Sequence, residues 1–133
     1  MKIAIKSNTE KPIDATSLLP LYANAGWWSE RSEQDVNQML QSAICVGAWE
    51  GDRLIGFARA ISDGRFRAYV EDVVIHTTYQ RTGIGRDLVK RLLDALSDID
   101  VVSLFCDEAH IPFYQENGFK FSKSQHVMHM KKK

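Results

Sequence analysis

The sequence predicts one mixed α/β domain around a mostly antiparallel sheet, and three features carry that prediction. Apolar runs of strand length recur along the chain. Two tight turns, Glu50-Gly51-Asp52 and Ser62-Asp63-Gly64, join three of those runs into antiparallel neighbours. One clear amphipathic helix, with Leu88, Val89, Leu92, Leu93 and Leu96 on a single stripe, follows the third run and precedes another. At 133 residues the chain has the size of a single core, so residues 1–133 are read as one domain.

In chain order, Ile3 and Ile5 alternate with polar neighbours, which predicts a short first strand. Asp14 to Ala25 is expected to form a short, irregular helix, because Pro20 interrupts the run Leu18, Leu19, Leu21 and Tyr22. Ser29-Glu30-Arg31-Ser32-Glu33 opens a second helix ending near Ser42, with Val36, Met39, Leu40 and Ala43 on one face. Three strands follow, from Ile44 to Trp49, Leu54 to Ile61 and Phe66 to Ile75. Beyond the main helix, Val101 to Cys106 reads as a buried strand. Ala109 to Asn117 reads as a short helix closed by Gly118, a natural left-handed cap. Phe119 to Met130 is expected to complete the sheet as two short strands or one bent one, which makes six to seven strands and about four helices.

Composition narrows the partners. Seventeen basic residues balance 17 acidic ones, and a formally neutral chain lacks the positive field that binding nucleic acid requires. The same balance argues against a membrane surface, and Lys131, Lys132 and Lys133 read as a solvated tail. Cys45 and Cys106 lie in apolar runs and are expected to be buried free thiols. No Cys/His spacing suggests zinc, and no metal is expected. The N-terminal stretch lacks the apolar core of a secretory signal, and no run approaches the roughly 20 apolar residues of a membrane span, so the expected compartment is the cytoplasm.

The most informative segment runs from Val73 to Leu88. An apolar strand, Val73-Val74-Ile75, leads into a loop with Gly83 and Gly85, and that loop opens the amphipathic helix. The first turn of a helix leaves backbone N–H groups without partners, and its dipole favours an anion. Two glycines let the backbone come close to phosphates, and Arg81 and Arg86 can add charge-assisted bonds. A pyrophosphate fits this arrangement; an ordinary strand-to-helix connection fits it too. A dinucleotide fingerprint is excluded because no third glycine follows Gly85 at the required spacing, and a P-loop because Gly-Lys-Ser/Thr is absent.

Gln80-Arg81-Thr82-Gly83-Ile84-Gly85 resembles the Gln/Arg-x-x-Gly-x-Gly/Ala signature of the GNAT superfamily of acyl-CoA-dependent N-acyltransferases. Glu71 to Ile75 resembles that family's central strand, and Phe113-Tyr114 through Gly118-Phe119 resembles its Phe-Tyr-x-x-x-Gly-Phe helix. Thr77 departs from the proline common there, which affects turn stiffness and not chemistry. The resemblance implies a GNAT-like sheet with a splayed central strand and acetyl-CoA as co-substrate. It implies that the backbone of Val73, Val74 and Ile75 pairs with pantetheine, that Arg81, Thr82, Gly83, Ile84, Gly85 and Arg86 hold the pyrophosphate, and that Gln80 and Asn117 touch the cofactor. A backbone N–H near Val74 would polarise the thioester carbonyl. Tyr114 matches the family's general acid, against the plainer reading of a ring packed on the sheet.

An alkyl ammonium acceptor must lose its proton before it attacks. Glu71 and Asp72 stand at the right level of the central strand, on opposite faces unless a bulge intervenes. Either is a candidate base or amine anchor, and either is alternatively a structural partner of Arg59, Arg65 or Arg67. His76 ranks below both. Gly26-Trp27-Trp28 lies where the family binds its acceptor, so Trp27 and Trp28 are candidates to stack on an amine or hold a cation, and Arg31 to bind an acid group on it. Tyr22 and Phe57 are candidate neighbours of that pocket. The leading reading is acetyl transfer to a primary amine of a small molecule in a ternary complex. Alternatives are a protein or peptide N-acetyltransferase, a non-catalytic CoA-binding sensor and a structural interaction domain. Homodimers are common in the family, and no residue of this chain demands one.

Overall fold

A computed structural model describes residues 2–132. Its centre is a sheet with strands in chain order: β1 (Ala4–Ser7), β2 (Ile44–Glu50), β3 (Arg53–Ser62), β4 (Arg67–Ile75) and β5 (Val101–Leu104). The first four pair antiparallel and β5 joins β4 in parallel. Helices α1 (Ala15–Ala25) and α2 (Glu33–Ser42) cover one face, and α3 (Ile84–Ala95) covers the other. A short α4 (Ile111–Glu116) follows β5. Among the described residues no helix is long and apolar enough to cross a membrane.

The sheet has five strands rather than the expected six to seven, because Phe119 to Met130 forms none. Its alternating pattern supplies β propensity but no buried face: Phe121 is 65% exposed and Met128 is 91% exposed. The first helix is more regular than Pro20 suggested. Asp14 caps it by accepting from the Ser17 N–H, and Pro20 lies on the exposed side of the helix. Gly26 then ends α1. The second helix begins at Glu33, four residues later than its polar lead-in implied, since a reciprocal capping box between Ser32 and Asp35 fixes its start. Ser32→Ala is expected to cost about 1 kcal/mol of stability in chemical denaturation. The last helix keeps its predicted cap, with Gly118 at φ 93° just past its end.

The feature that shapes the site is a bulge in β4. Phe57 pairs with Val74, yet Arg59, two residues on, pairs with Glu71, three residues back, so β4 carries one extra residue. Asp72 absorbs it in the left-handed region, at φ 57°. Ala68 and Val70 pack in the cluster beneath α3, and past the bulge Val73 and Ile75 do so. The even-to-odd switch turns consecutive residues Glu71 and Asp72 to the same face, the one covered by α1 and α2. Pairing of β4 with β5 stops at Val70–Leu104, so the two strands part where the bulge begins.

Candidate active site

The parting of β4 from β5 opens a groove of about 500 Å³. Its floor is β4 from Tyr69 to Ile75, one wall is Leu104 to Asp107 with His110 and Tyr114, and the other is Asn24, Ala25 and Trp27 at the end of α1. Thr77 and Gln80 close the end nearest the glycine loop.

The floor presents backbone groups. His76 donates its N–H to the Ile55 carbonyl on β3 at 2.8 Å. Alternate peptides of a strand turn to the same side, so Val74 also faces β3, and Val73 and Ile75 face the groove. The Ile75 carbonyl accepts from Gln80 Nε2 at 3.1 Å on that side. The N–H groups of Val73 and Ile75 are therefore the strand-edge donors that face the groove, and Val74, expected among them, is a buried floor residue at 4% exposure.

Beyond the strand the chain makes a one-turn 3-10 helix over Thr77–Tyr79, tied to the loop by Thr82 Oγ1 donating to the Tyr79 carbonyl at 2.6 Å. Arg81 takes φ 63° and Gly83 φ 87°, a pair of left-handed residues that swings the chain into α3. No side chain caps α3 at Gly83, so the amides of its first turn stay open to an anion. A methyl group added at Gly85 would meet Ile75 and Phe113 at ordinary contact distance, and Ile84 is buried at 7% exposure. Arg86 is exposed beside the loop.

Tyr114 stands on α4 with its ring edge-on to Phe113 and Phe119, at centroid distances of 5.0 and 5.8 Å. Burial, with a smaller contribution from neighbouring Cys106, pushes its phenol up to about 12, so the proton is held throughout the neutral range. Asn117 does not line the groove. Its side-chain amide donates to the Phe113 carbonyl at 2.9 Å and closes the last turn of α4.

The two carboxylates of the bulge occupy unlike positions. Asp72 is 7% exposed, and its oxygens accept from Arg59 Nε at 2.7 Å, Tyr22 Oη at 3.0 Å and Trp28 Nε1 at 3.2 Å. A guanidinium, a phenol and an indole thus engage both oxygens of Asp72. Glu71 is half-buried, lines the groove and accepts from Arg59 Nη2 at 3.1 Å. One arginine thus holds both carboxylates.

Of the residues expected at the acceptor, Trp27 lines the groove and Trp28 and Arg31 do not. Trp28 turns inward to Asp72. Arg31 stacks over it, with Cζ 3.9 Å from the ring centroid and Nη1 3.8 Å from Asp72 Oδ2. Tyr22 and Phe57 are core residues, at 1% and 0% exposure. His76 packs edge-on against Tyr79, with Nε2 3.2 Å from Arg53, and lies outside the groove.

Sequence reasoning missed Asn24, Tyr69, Phe105 and Asp107 in the lining. It also misplaced Cys106. Cys45 is buried, and burial raises its thiol to about 11, whereas Cys106 is exposed on the groove wall just past the end of β5. Strand β5 stops at Leu104, so the apolar run around Cys106 never enters the core. The alternation of Tyr69 with Val70 on β4 was the available signal for Tyr69.

With this geometry in place, comparison with known proteins is decisive: the model of the acetyltransferase (GNAT) family matches residues 14–119. The chain belongs to the GNAT family. It is 38% identical over 116 residues to an uncharacterized N-acetyltransferase (ycf52-like) of Prochlorococcus marinus, covering 82% of this chain and 64% of the relative. It is 33% identical over 125 residues to an uncharacterized N-acetyltransferase (ycf52) of Porphyra purpurea, covering 90% of this chain and 71% of the relative. The GNAT chain thus spans less than two thirds of the Prochlorococcus protein. A GNAT-family acetyltransferase from Streptococcus pneumoniae TIGR4 superposes with a TM-score of 0.84 at 26% identity, covering 99% of this chain and 100% of the other. Glucosamine-6-phosphate N-acetyltransferase from Arabidopsis thaliana has the same fold, with a TM-score of 0.77 at 12% identity over 98% of this chain and 100% of the other.

Proposed function

We propose that this protein transfers the acetyl group of acetyl-CoA to a primary amine of a small molecule by direct attack in a ternary complex. The observation that carries the reading is the parting of β4 from β5 at the bulge, which leaves strand-edge donors along a groove whose Gln80 end leads in sequence to the uncapped N-terminus of α3. Pantetheine would lie along β4 as an added strand, using the groove-facing peptides of Val73 and Ile75. The pyrophosphate would meet the open amides from Arg81 to Arg86.

The remaining chemistry belongs to three groups. A primary ammonium arrives protonated, since its pKa is near 10. Glu71, through a water molecule, takes that proton, and the freed amine adds to the thioester carbonyl. The N–H of Val73 or Ile75 donates to the oxygen that becomes negative. As the carbon–sulfur bond breaks, Tyr114 Oη gives its proton to the departing thiolate and regains one from the attacking nitrogen, so the neutral amide and the CoA thiol leave and Glu71 returns its proton to solvent.

Groove chemistry also narrows the acceptor. Trp27, Tyr69 and Phe105 offer aromatic surface, Glu71 and Asp107 offer negative charge, and among the described residues no Lys or Arg lines the groove. An acceptor carrying a carboxylate or phosphate beside its amine would find no cation to pair with, because Arg31 is spent on Trp28 and Asp72. A cationic amine on an apolar body is the fitting class. A panel of amines tests this by thiol release from acetyl-CoA. Amines without an acid group are expected to react, with amino acids and phosphosugars at least tenfold slower, the equivalent of about 1.4 kcal/mol. Equal rates with acidic acceptors would refute the acceptor class, and reaction only with a lysine peptide would favour a protein substrate.

A further inference from the structure

Among the described residues three non-glycine residues take positive φ: Trp28 at 56°, Asp72 at 57° and Arg81 at 63°. Left-handed backbone is disfavoured for such side chains and persists only where the surroundings enforce it. Arg81 belongs to the glycine loop. The other two lie 44 residues apart in sequence and are joined by one hydrogen bond, from Trp28 Nε1 to Asp72 Oδ1 at 3.2 Å.

One end of that bond, Asp72, lies in the floor of the groove, and the other, Trp28, lies next in sequence to its wall. Trp28 follows Trp27, whose ring is 6.5 Å away and lines the acceptor side. Asp72 precedes Val73, whose peptide faces the acyl group. Trp28 is itself clamped between Asp72 and the stacked guanidinium of Arg31. Around Asp72 the donors come from three elements: Tyr22 on α1, Arg59 on β3 and Trp28 on the loop after α1. A bulge conformation that is unfavourable in isolation is thereby tied to a loop conformation that is also unfavourable in isolation.

We propose that Trp28 is a positioning residue whose indole N–H latches the acceptor wall to the β4 bulge, so that the acceptor site and the backbone donors for the acyl-CoA are set as one unit. Trp28 does not touch the groove, and its effect passes through Asp72. The inference rests on the acetyl-transfer reading for what the groove holds. Its central test nevertheless needs no turnover.

Titration calorimetry of acetyl-CoA binding to the parent chain, Trp28→Phe, Asp72→Asn and the double variant measures the coupling, beside thermal melting and steady-state kinetics. Trp28→Phe keeps an aromatic ring and removes the donor. Acetyl-CoA affinity is expected to fall about fivefold, although the residue lies outside the groove. The double variant is expected to bind no more weakly than Asp72→Asn alone: the amide oxygen stays with Arg59 and Tyr22, which both donate to Oδ2, and the NH2 then faces the indole, so both changes break the same bond. Trp28→Phe should also raise the KM for the amine. A lowered melting temperature with unchanged affinity and KM would reduce Trp28 to packing and overturn the proposal; so would effects that simply multiply. If Asp72→Asn fails to fold, Trp28→Phe alone decides, since its affinity and KM are read against its own melting temperature. Tight acetyl-CoA binding without turnover of any amine would refute the transferase reading and leave the latch to be judged by affinity. No binding of acetyl-CoA to the parent chain would refute both.

Discussion

Arg59→Leu is expected to lower the free energy of unfolding by about 3–5 kcal/mol, read from urea denaturation near neutral pH. Arg59 is 6% exposed and holds Asp72 at 2.7 Å and Glu71 at 3.1 Å. Leucine fills much of the volume but leaves the Asp72 carboxylate buried beside apolar neighbours, with a phenol and an indole as its remaining donors. Loss of the Glu71 pair matters less, because that carboxylate is half-open to solvent and can hydrate. The asymmetry gives a second arm. Combining Arg59→Leu with Asp72→Asn removes the stranded charge, and the double variant is expected to be more stable than Arg59→Leu alone. If the double variant were the less stable of the two, the ion pair would not be what Arg59 provides.

Tyr114→Phe is expected to reduce kcat by about 10²- to 10⁴-fold, the range of a lost general acid, with acetyl-CoA affinity held. The ring packing against Phe113 and Phe119 survives the change, so a fall in rate without a fall in stability separates proton donation from structure. The pH dependence has a definite sign. Burial first, and Cys106 second, push the phenol up to about 12, so its proton is present below that value and lost only as pH rises through it. In the parent chain the rate is expected to climb from about pH 6 to about pH 10 as the ammonium acceptor loses its proton, with no descending limb from Tyr114 in that window. A descending limb near pH 8 that disappears in Tyr114→Phe would contradict the burial-driven shift.

Much of this architecture was legible in the sequence because it depends on local rules. The leucine stripe of α3, the turns at Gly51 and Gly64, and the glycine loop each follow from periodicity or backbone freedom over a few residues. What escaped depends on tertiary partners. The sequence left Glu71 and Asp72 on opposite faces unless a bulge intervened, and it left Arg59, Arg65 and Arg67 as alternative partners; the extra residue in β4 puts both on one face, where Arg59 alone of those three meets both. Trp28 and Arg31 have the composition of a ligand pocket, yet the left-handed turn at Trp28 sends its ring inward. Cys106 sits in an apolar run that would be buried had β5 continued, and β5 ends two residues before it. The segment from Phe119 to Met130 alternates as a strand would, but its apolar side chains meet no buried face. Tyr114 is the opposite case: an aromatic in a short helix carries no periodic signal, and its likeness to the family's helix motif located it on the groove wall.

The central claim is acetyl transfer to an amine in this groove, and the most direct measurement is mass analysis of the amine after incubation with acetyl-CoA and the protein. The account predicts an N-acetylated product formed in step with CoA thiol release, and its near disappearance with Tyr114→Phe. Thiol release that proceeds equally without any amine, or an unmodified amine despite tight acetyl-CoA binding, would contradict it.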